Sequence, residues 1–189
     1  KLRRTPPTGD GLRLLGEFRR VVKEGSPMWF CLENVPAVPD VVIEGYHVQR
    51  FDLSPLECGG TQSRRRHFQF GHKLGYVLDI KRDAFTGKKE RCAVASEGKQ
   101  QDRRTWEDFC ELQGLPRDFD LPPFTLSERY RAVGNGVNVK VAERVATAIC
   151  ELSSVNKPRI FTDVNLCACG CGEILRGKQK SSSPKCRKR

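Results

Sequence analysis

Apolar residues recur at helical spacing over 11–24, GLRLLGEFRRVVKE, where Leu14, Leu15, Phe18, Val21 and Val22 share one face. Asp10 stands where an N-cap belongs, and Gly25 and Pro27 end the helix. The next run, MWFCL (28–32), is apolar at every position. That pattern predicts a short strand buried on both faces, as in a parallel sheet lying between helices. A helix feeding such a strand is half of a βαβ unit, so the predicted class is α/β.

The pattern continues with GYHVQRFDLSP, a second strand with a polar exit, and with HFQFG, an aromatic strand that follows ECGGTQSRRR. Residues 72–102 have no long apolar run and read as a loop-rich insert, with GYVLDI (75–80) as its best strand. Thr105 to Asp108 resembles a capping box that opens a helix to about Leu112, and Gly114 and Pro116 close it. Residues 138–152 place Val141, Ala142, Val145, Ala148, Ile149 and Leu152 on one helical face, after the tight turn GNGVN. SSVNKPR (153–159) reads as a polar linker. These boundaries predict a main domain over 1–155 and a small Cys-rich basic tail over 165–189.

Charge narrows the partners. The 189 residues carry 34 Lys and Arg against 23 Asp and Glu, a net charge of +11. Such a surface favours polyanions through counterion release, although general solubility would explain it too. No apolar run is long enough to span a membrane, and no basic amphipathic helix suits a membrane surface. The opening KLRRTPPTGDG has neither an initiator Met nor the apolar segment of a signal peptide, which reads as a fragment. Of nine cysteines, Cys31, Cys58, Cys92, Cys110 and Cys150 are scattered and read as buried free thiols of a reducing, cytoplasmic compartment.

Three stretches could carry chemistry. Glu33 and Asn34 leave the apolar strand at its carboxyl end, where open sheets bind ligands. A carboxyl group against apolar walls there has a raised pKa and can donate a proton, whereas a solvated turn is the plainer reading. In QSRRR (62–66), strand spacing projects Arg64 and Arg66 together and Arg65 the other way. Paired guanidiniums suit a phosphate or a base edge, and a solvated basic edge is the alternative. GNGVN could offer backbone N–H groups to a ligand, or be a plain turn.

Taken in order, these pieces resemble the C-terminal half of a DNA (cytosine-5)-methyltransferase. LENV (32–35) looks like the family's ENV motif, and GGTQSRRRHF (59–68) its QxRxR motif, with Gln62, Arg64 and Arg66 in register. RRTWEDFCELQGLP (103–116) is similar to the segment returning to the catalytic domain, with Leu115 in place of an aromatic residue. YRAVGNGVNVKVAERVATAI (130–149) resembles the closing motif, with Gly136 at its small-residue position. The resemblance implies a partial Rossmann-like sheet of the S-adenosylmethionine-dependent methyltransferase type. It also implies a reaction: a cytosine flipped out of double-stranded DNA is attacked at C6 by a Cys thiolate and methylated at C5. Glu33 would protonate N3, while Arg64 and Arg66 would contact the base and neighbouring backbone. Asn34, Gln62 and Arg65 would serve DNA binding, and Asn135 would lie near the cofactor.

Two departures qualify this. The family's Pro-Cys nucleophile loop and its Phe-x-Gly-x-Gly cofactor loop are both absent. The sequence therefore predicts part of a split or truncated enzyme of restriction-modification or phage type, inactive alone and completed by a second polypeptide. The rival expectation is a non-catalytic DNA-binding relic or subunit. In the tail, Cys167, Cys169, Cys171 and Cys186 form a candidate Zn²⁺ set resembling a zinc ribbon, with Ser182 where such ribbons carry another Cys. A degenerate basic tail is the competing reading.

Overall fold

The computed structural model describes residues 9–154. The Cys-rich tail, with its zinc set, and the polar linker after Ser154 lie outside the described residues. The order of elements is α1 (Gly9–Gly25), β1 (Trp29–Asn34), β2 (His47–Leu53), β3 (Arg66–His72), α2 (Trp106–Leu112), α3 (Leu126–Asn135) and α4 (Val139–Ser154). Short 3₁₀ turns at Pro55–Glu57 and Glu97–Lys99 interrupt the connections.

The strands form one sheet in the order β1-β3-β2, with β3 antiparallel to both neighbours. This corrects the expected parallel pairing of β1. The apolar run does have cover on both faces, but what imposes it is the helices and loops above and below, not strand direction. On one face, α1 and residues 38–46 pack Leu15, Val22, Val38, Val41 and Ile43 against Phe30. On the other, α4 packs Val141, Val145 and Ala148 onto Phe51, Leu53, Phe68 and Phe70. A third apolar group joins Ala93, Phe109, Tyr130 and Val133 between α2 and α3.

Alternation explains which residues face which layer. Leu32 opposes Gln69 and Asn34 opposes His67 on the α1 side, whereas Cys31 opposes Phe70 and Glu33 opposes Phe68 on the α4 side. At Gly71 the ring of Phe30 lies where a side chain would stand: an added Cβ would meet its Cε1 at 2.2 Å.

Several expectations shift. Asp10 sits in the first turn of α1 and not ahead of it. Leu14 and Val21 are exposed, so only Leu15, Phe18 and Val22 of the expected face are packed. Ala142 is exposed on α4. GYVLDI is not a strand: Gly75 takes φ +72°. In addition, the Leu78 backbone is held by a side chain, its N–H donating to Gln49 Oε1 and its carbonyl accepting from Gln49 Nε2. Of the scattered cysteines, Cys58 and Cys110 are buried, Cys31 and Cys92 half-buried, and Cys150 exposed. Thr105 caps α2 as expected, accepting the Asp108 N–H.

Candidate active site

The carboxyl end of β1, the start of β3 and the α3–α4 turn converge. Glu33 and Phe68 are direct cross-strand partners, and Arg66 lies two residues before Phe68 on the same face. Glu33 and Arg66 are thus diagonal neighbours, close enough for long side chains to meet. Arg66 Nε lies 3.0 Å from Glu33 Oε1. Arg66 Nη1 also donates to the carbonyl of Arg65, fixing the guanidinium over its own turn.

Burial raises the Glu33 pKa, and the positive charges of Arg66 and Arg64 pull it back down. The result is a carboxyl group biased toward protonation yet held by a cation. Cys31 is two residues upstream on the same face, and burial together with the Glu33 charge pushes its thiol up to about 11. A thiol held that high is a poor nucleophile at neutral pH.

Arg64 reaches across to two backbone carbonyls, Ala93 O at 2.6 Å and Gly136 O at 3.4 Å. It thereby ties the β3 approach to the α3–α4 turn. Asn135 is exposed at the last position of α3, beside that contact. Arg65 is exposed, whereas Arg64 and Arg66 on either side of it are half-buried. Asn34 Oδ1 accepts the Val35 N–H at 2.8 Å and so turns the chain immediately after Glu33.

Gln62 is 0% exposed, its amide turned into the protein. Its Nε2 donates to Leu112 O and to Gln113 Oε1, and its Oε1 accepts the Ala93 N–H. Gln113 in turn donates to Val133 O, and Asn138 donates to Leu112 O. This amide hub locks α2, α3 and the Ala93 segment together, and Ala93 is the residue whose carbonyl holds Arg64. Gln113 and Asn138 escaped the sequence reading because isolated polar residues read as surface; the N-G and Q-G turns beside them were the available signal. Replacing Gln62 by Leu orphans the Ala93 N–H and Gln113 Oε1, at about 1–3 kcal/mol each. Urea unfolding should therefore show a lowered midpoint with an unchanged slope.

A second polar group lies beneath the site on the α1 face. His67 is buried, with Nδ1 3.1 Å from Asp52 Oδ1 and Nε2 2.8 Å from Gln69 Nε2. The Gln69 amide donates to Nε2, which leaves the Nδ1 proton for Asp52. Burial lowers the His67 pKa, against the upward pull of its bond to Asp52, and burial lowers that of His72 as well. Both folded values thus lie below the ordinary histidine value near 6.5. As pH falls through that value the unfolded chain binds protons that the folded chain refuses, so stability is held above pH ~6.5 and declines below it. Thermal melts across this range should show that decline, with a shallower slope in His67→Gln.

Among the described residues no group of three or more His, Cys, Asp or Glu side chains could hold a metal ion, and no helix is long and apolar enough to cross a membrane. Comparison with known proteins bears on the rest. The solved structure of the Entamoeba histolytica methyltransferase EhMeth superposes with a TM-score of 0.54 at 12% identity, covering 66% of this chain and 63% of that one. A tRNA (cytosine(38)-C(5))-methyltransferase of Mus musculus is 40% identical over 48 residues, which is 25% of this chain and 12% of that protein. The chain therefore spans less than two thirds of either. Residues 81–151 match the family model of C-5 cytosine-specific DNA methylase, in a chain of mixed α/β fold whose described part resembles a methyltransferase.

Proposed function

We propose that this chain carries the base-gripping part of a cytosine-5 methyltransferase that acts on double-stranded DNA, with the nucleophile cysteine supplied from outside these 189 residues. The observation that carries this reading is the Glu33–Arg66 pair at the sheet edge, with Arg64 beside it. A flipped cytosine offers N3 and an exocyclic amine to a carboxyl group, and O2 to a guanidinium. Glu33, biased toward its protonated form, delivers a proton to N3 as the thiolate adds to C6. Arg66 opens from Glu33 toward O2, and Arg64, anchored to Gly136, keeps the wall of the pocket in place. Asn34 fixes the turn that aims Glu33.

The expected methyl donor is S-adenosylmethionine, which supplies an electrophilic methyl group when bound. Of the described residues Asn135 suits it, since an exposed amide offers both a donor and an acceptor to an amino-acid moiety. One amide does not make a site, so the remaining contacts fall to residues outside the described ones. The basic surface serves the DNA backbone, with Arg65 exposed for that purpose.

The test is reconstitution with a polypeptide carrying the Pro-Cys and Phe-x-Gly-x-Gly loops of a C-5 methylase, in the presence of labelled S-adenosylmethionine. The reading requires 5-methylcytosine in duplex DNA, dependent on both polypeptides. A second reading, methylation of tRNA, is favoured by the local identity to the Mus musculus enzyme. Transfer to tRNA and not to DNA would establish it in place of the first.

A further inference from the structure

We infer that His67 and Gln69 are positioning residues, which hold the segment leaving Glu33 in one shape and do so only while His67 is uncharged. The sheet face under α1 has two halves. Phe30, Leu32 and Val48 belong to the apolar group that includes Leu15 and Val22 of α1. Toward the carboxyl end of β1 the face turns polar. Arg50 is the cross-strand partner of Gln69, and Asn34 and Asp52 pair with His67 from either side. Residues 35–41 carry the chain onward from Glu33 and Asn34, and they are fastened to this polar half.

Two side chains do the fastening. Gln69 Oε1 accepts the Val41 N–H at 2.6 Å, and Gln69 Nε2 donates to Pro39 O at 3.2 Å. Arg50 donates to Pro36 O at 3.3 Å and is paired with Asp40. A backbone N–H only donates and a carbonyl only accepts, so the Gln69 amide has one orientation. Its other N–H faces His67 Nε2, 2.8 Å away, and needs a lone pair there. The ring proton therefore sits on Nδ1, 3.1 Å from Asp52 Oδ1. Both side chains are buried, and each of their polar atoms has a partner.

A second proton on His67 goes to Nε2 and meets the Gln69 N–H, donor against donor. Turning the amide over is no remedy, because it breaks the bonds to Val41 and Pro39 together. The remaining acceptor is Asp40 Oδ1, 3.9 Å from Nε2 and held by Arg50. Asp40 belongs to the segment, so it can take that bond only if the segment shifts. The charged groups facing the ring are Asp52 and Arg50 from β2 and Asp40 from the segment. Burial, aided by Arg50, outweighs the pull of the two carboxylates. The ring is thus uncharged at neutral pH, and the hold is lost as pH falls below ~6.5. The consequence for chemistry rests on the proposed function: a released segment lets Glu33 drift from N3 of an everted cytosine, and a misplacement of ~1 Å is costly.

The test uses the full chain. Residue-resolved hydrogen exchange reads the Val41 amide, with the β3 amides as the gauge of global stability. Relative to that gauge, and corrected for intrinsic rates, wild-type Val41 protection should fall about tenfold or more from about pH 7.5 to about pH 5, the scale of one lost buried hydrogen bond. In Gln69→Leu it should be low at both pH values. In His67→Gln, which keeps an acceptor for Gln69 and has no proton to gain, it should be equal at both. Binding gives the second readout. The preference for a duplex with one bulged cytosine over a fully paired one should drop about tenfold in Gln69→Leu, while affinity for the paired duplex, set by the basic surface, should hold. If Gln69→Leu does not fold, the pH response of His67→Gln decides. Wild-type protection that ignores pH, or protection that survives in Gln69→Leu, overturns the inference. So does an intact preference for the bulge after Val41 protection is lost. A wild type with no such preference rejects the base-gripping reading instead, and the hold on residues 35–41 then stands or falls on the exchange data.

Discussion

In the reconstituted enzyme, Glu33→Gln lowers the methyl-transfer rate by about two orders of magnitude or more, the usual scale of positioned acid catalysis. DNA affinity changes far less. Glutamine keeps the shape and the polar contacts of the side chain but has no proton to give, so the variant separates holding the base from protonating it. The structure gives particular reason to expect a large effect. Burial raises the Glu33 pKa, and Arg66 at 3.0 Å keeps the carboxyl group oriented. A proton donor prepared in this way loses activity as pH rises past its folded pKa, so the wild-type rate should fall on the alkaline side while the residual rate of the glutamine variant should not track that titration. Single-turnover rates across pH, measured beside duplex affinity, check both statements. Near-normal turnover in the variant would remove Glu33 from the chemistry.

Phe70→Ala has the largest expected effect on stability. Phe70 is 0% exposed at the centre of β3, pressed between the sheet and α4, with its ring 5.9 Å from that of Trp29. Losing a buried aromatic ring removes its transfer free energy and leaves a cavity that the flanking strands cannot close, at about 3–5 kcal/mol. A domain of this size holds only about 5–15 kcal/mol in total, so a large share of its stability goes. The exposed Phe124 provides the control: Phe124→Ala should stay within about 0.5 kcal/mol of wild type. Equilibrium urea unfolding of both variants measures the contrast.

The elements that the sequence made legible are those with several apolar positions repeating at one period. α1, α4 and the strands at β2 and β3 appear where the period predicts them, because enough of their apolar positions pack into one of the two layers that cover the sheet, although Leu14, Val21 and Ala142 stay exposed. Strand direction was not legible. A short apolar run reports cover on both faces and is silent about which neighbour runs which way. Helix α3 was missed although Thr125 and Glu128 form a capping box. Its buried residues, Tyr130, Val133 and Gly134, are too few to set a period, and an added Cβ on Gly134 would meet the Ala95 backbone at 2.7 Å. GYVLDI misled because Gln49 satisfies the Leu78 backbone with a side chain, a contact 29 residues away in sequence.

The candidate site divides in the same manner. Glu33, Arg64 and Arg66 were visible as charged residues at the ends of strand patterns, and antiparallel register brings Glu33 and Arg66 together. The amide hub of Gln62, Gln113 and Asn138 was invisible, since burial of polar groups depends on partners supplied by distant segments. That hub holds the Ala93 segment to which Arg64 is bound, so the least legible residues support the most legible ones.

The most direct measurement is a structure of the chain bound to a duplex carrying one bulged cytosine, a base whose extrusion costs least. The account predicts that cytosine outside the stack, its N3 within hydrogen-bond distance of Glu33 and its O2 facing Arg66, with the ion pair between those two side chains opened. A bulged cytosine bound elsewhere on the protein, with Glu33 and Arg66 still paired to each other, would contradict it.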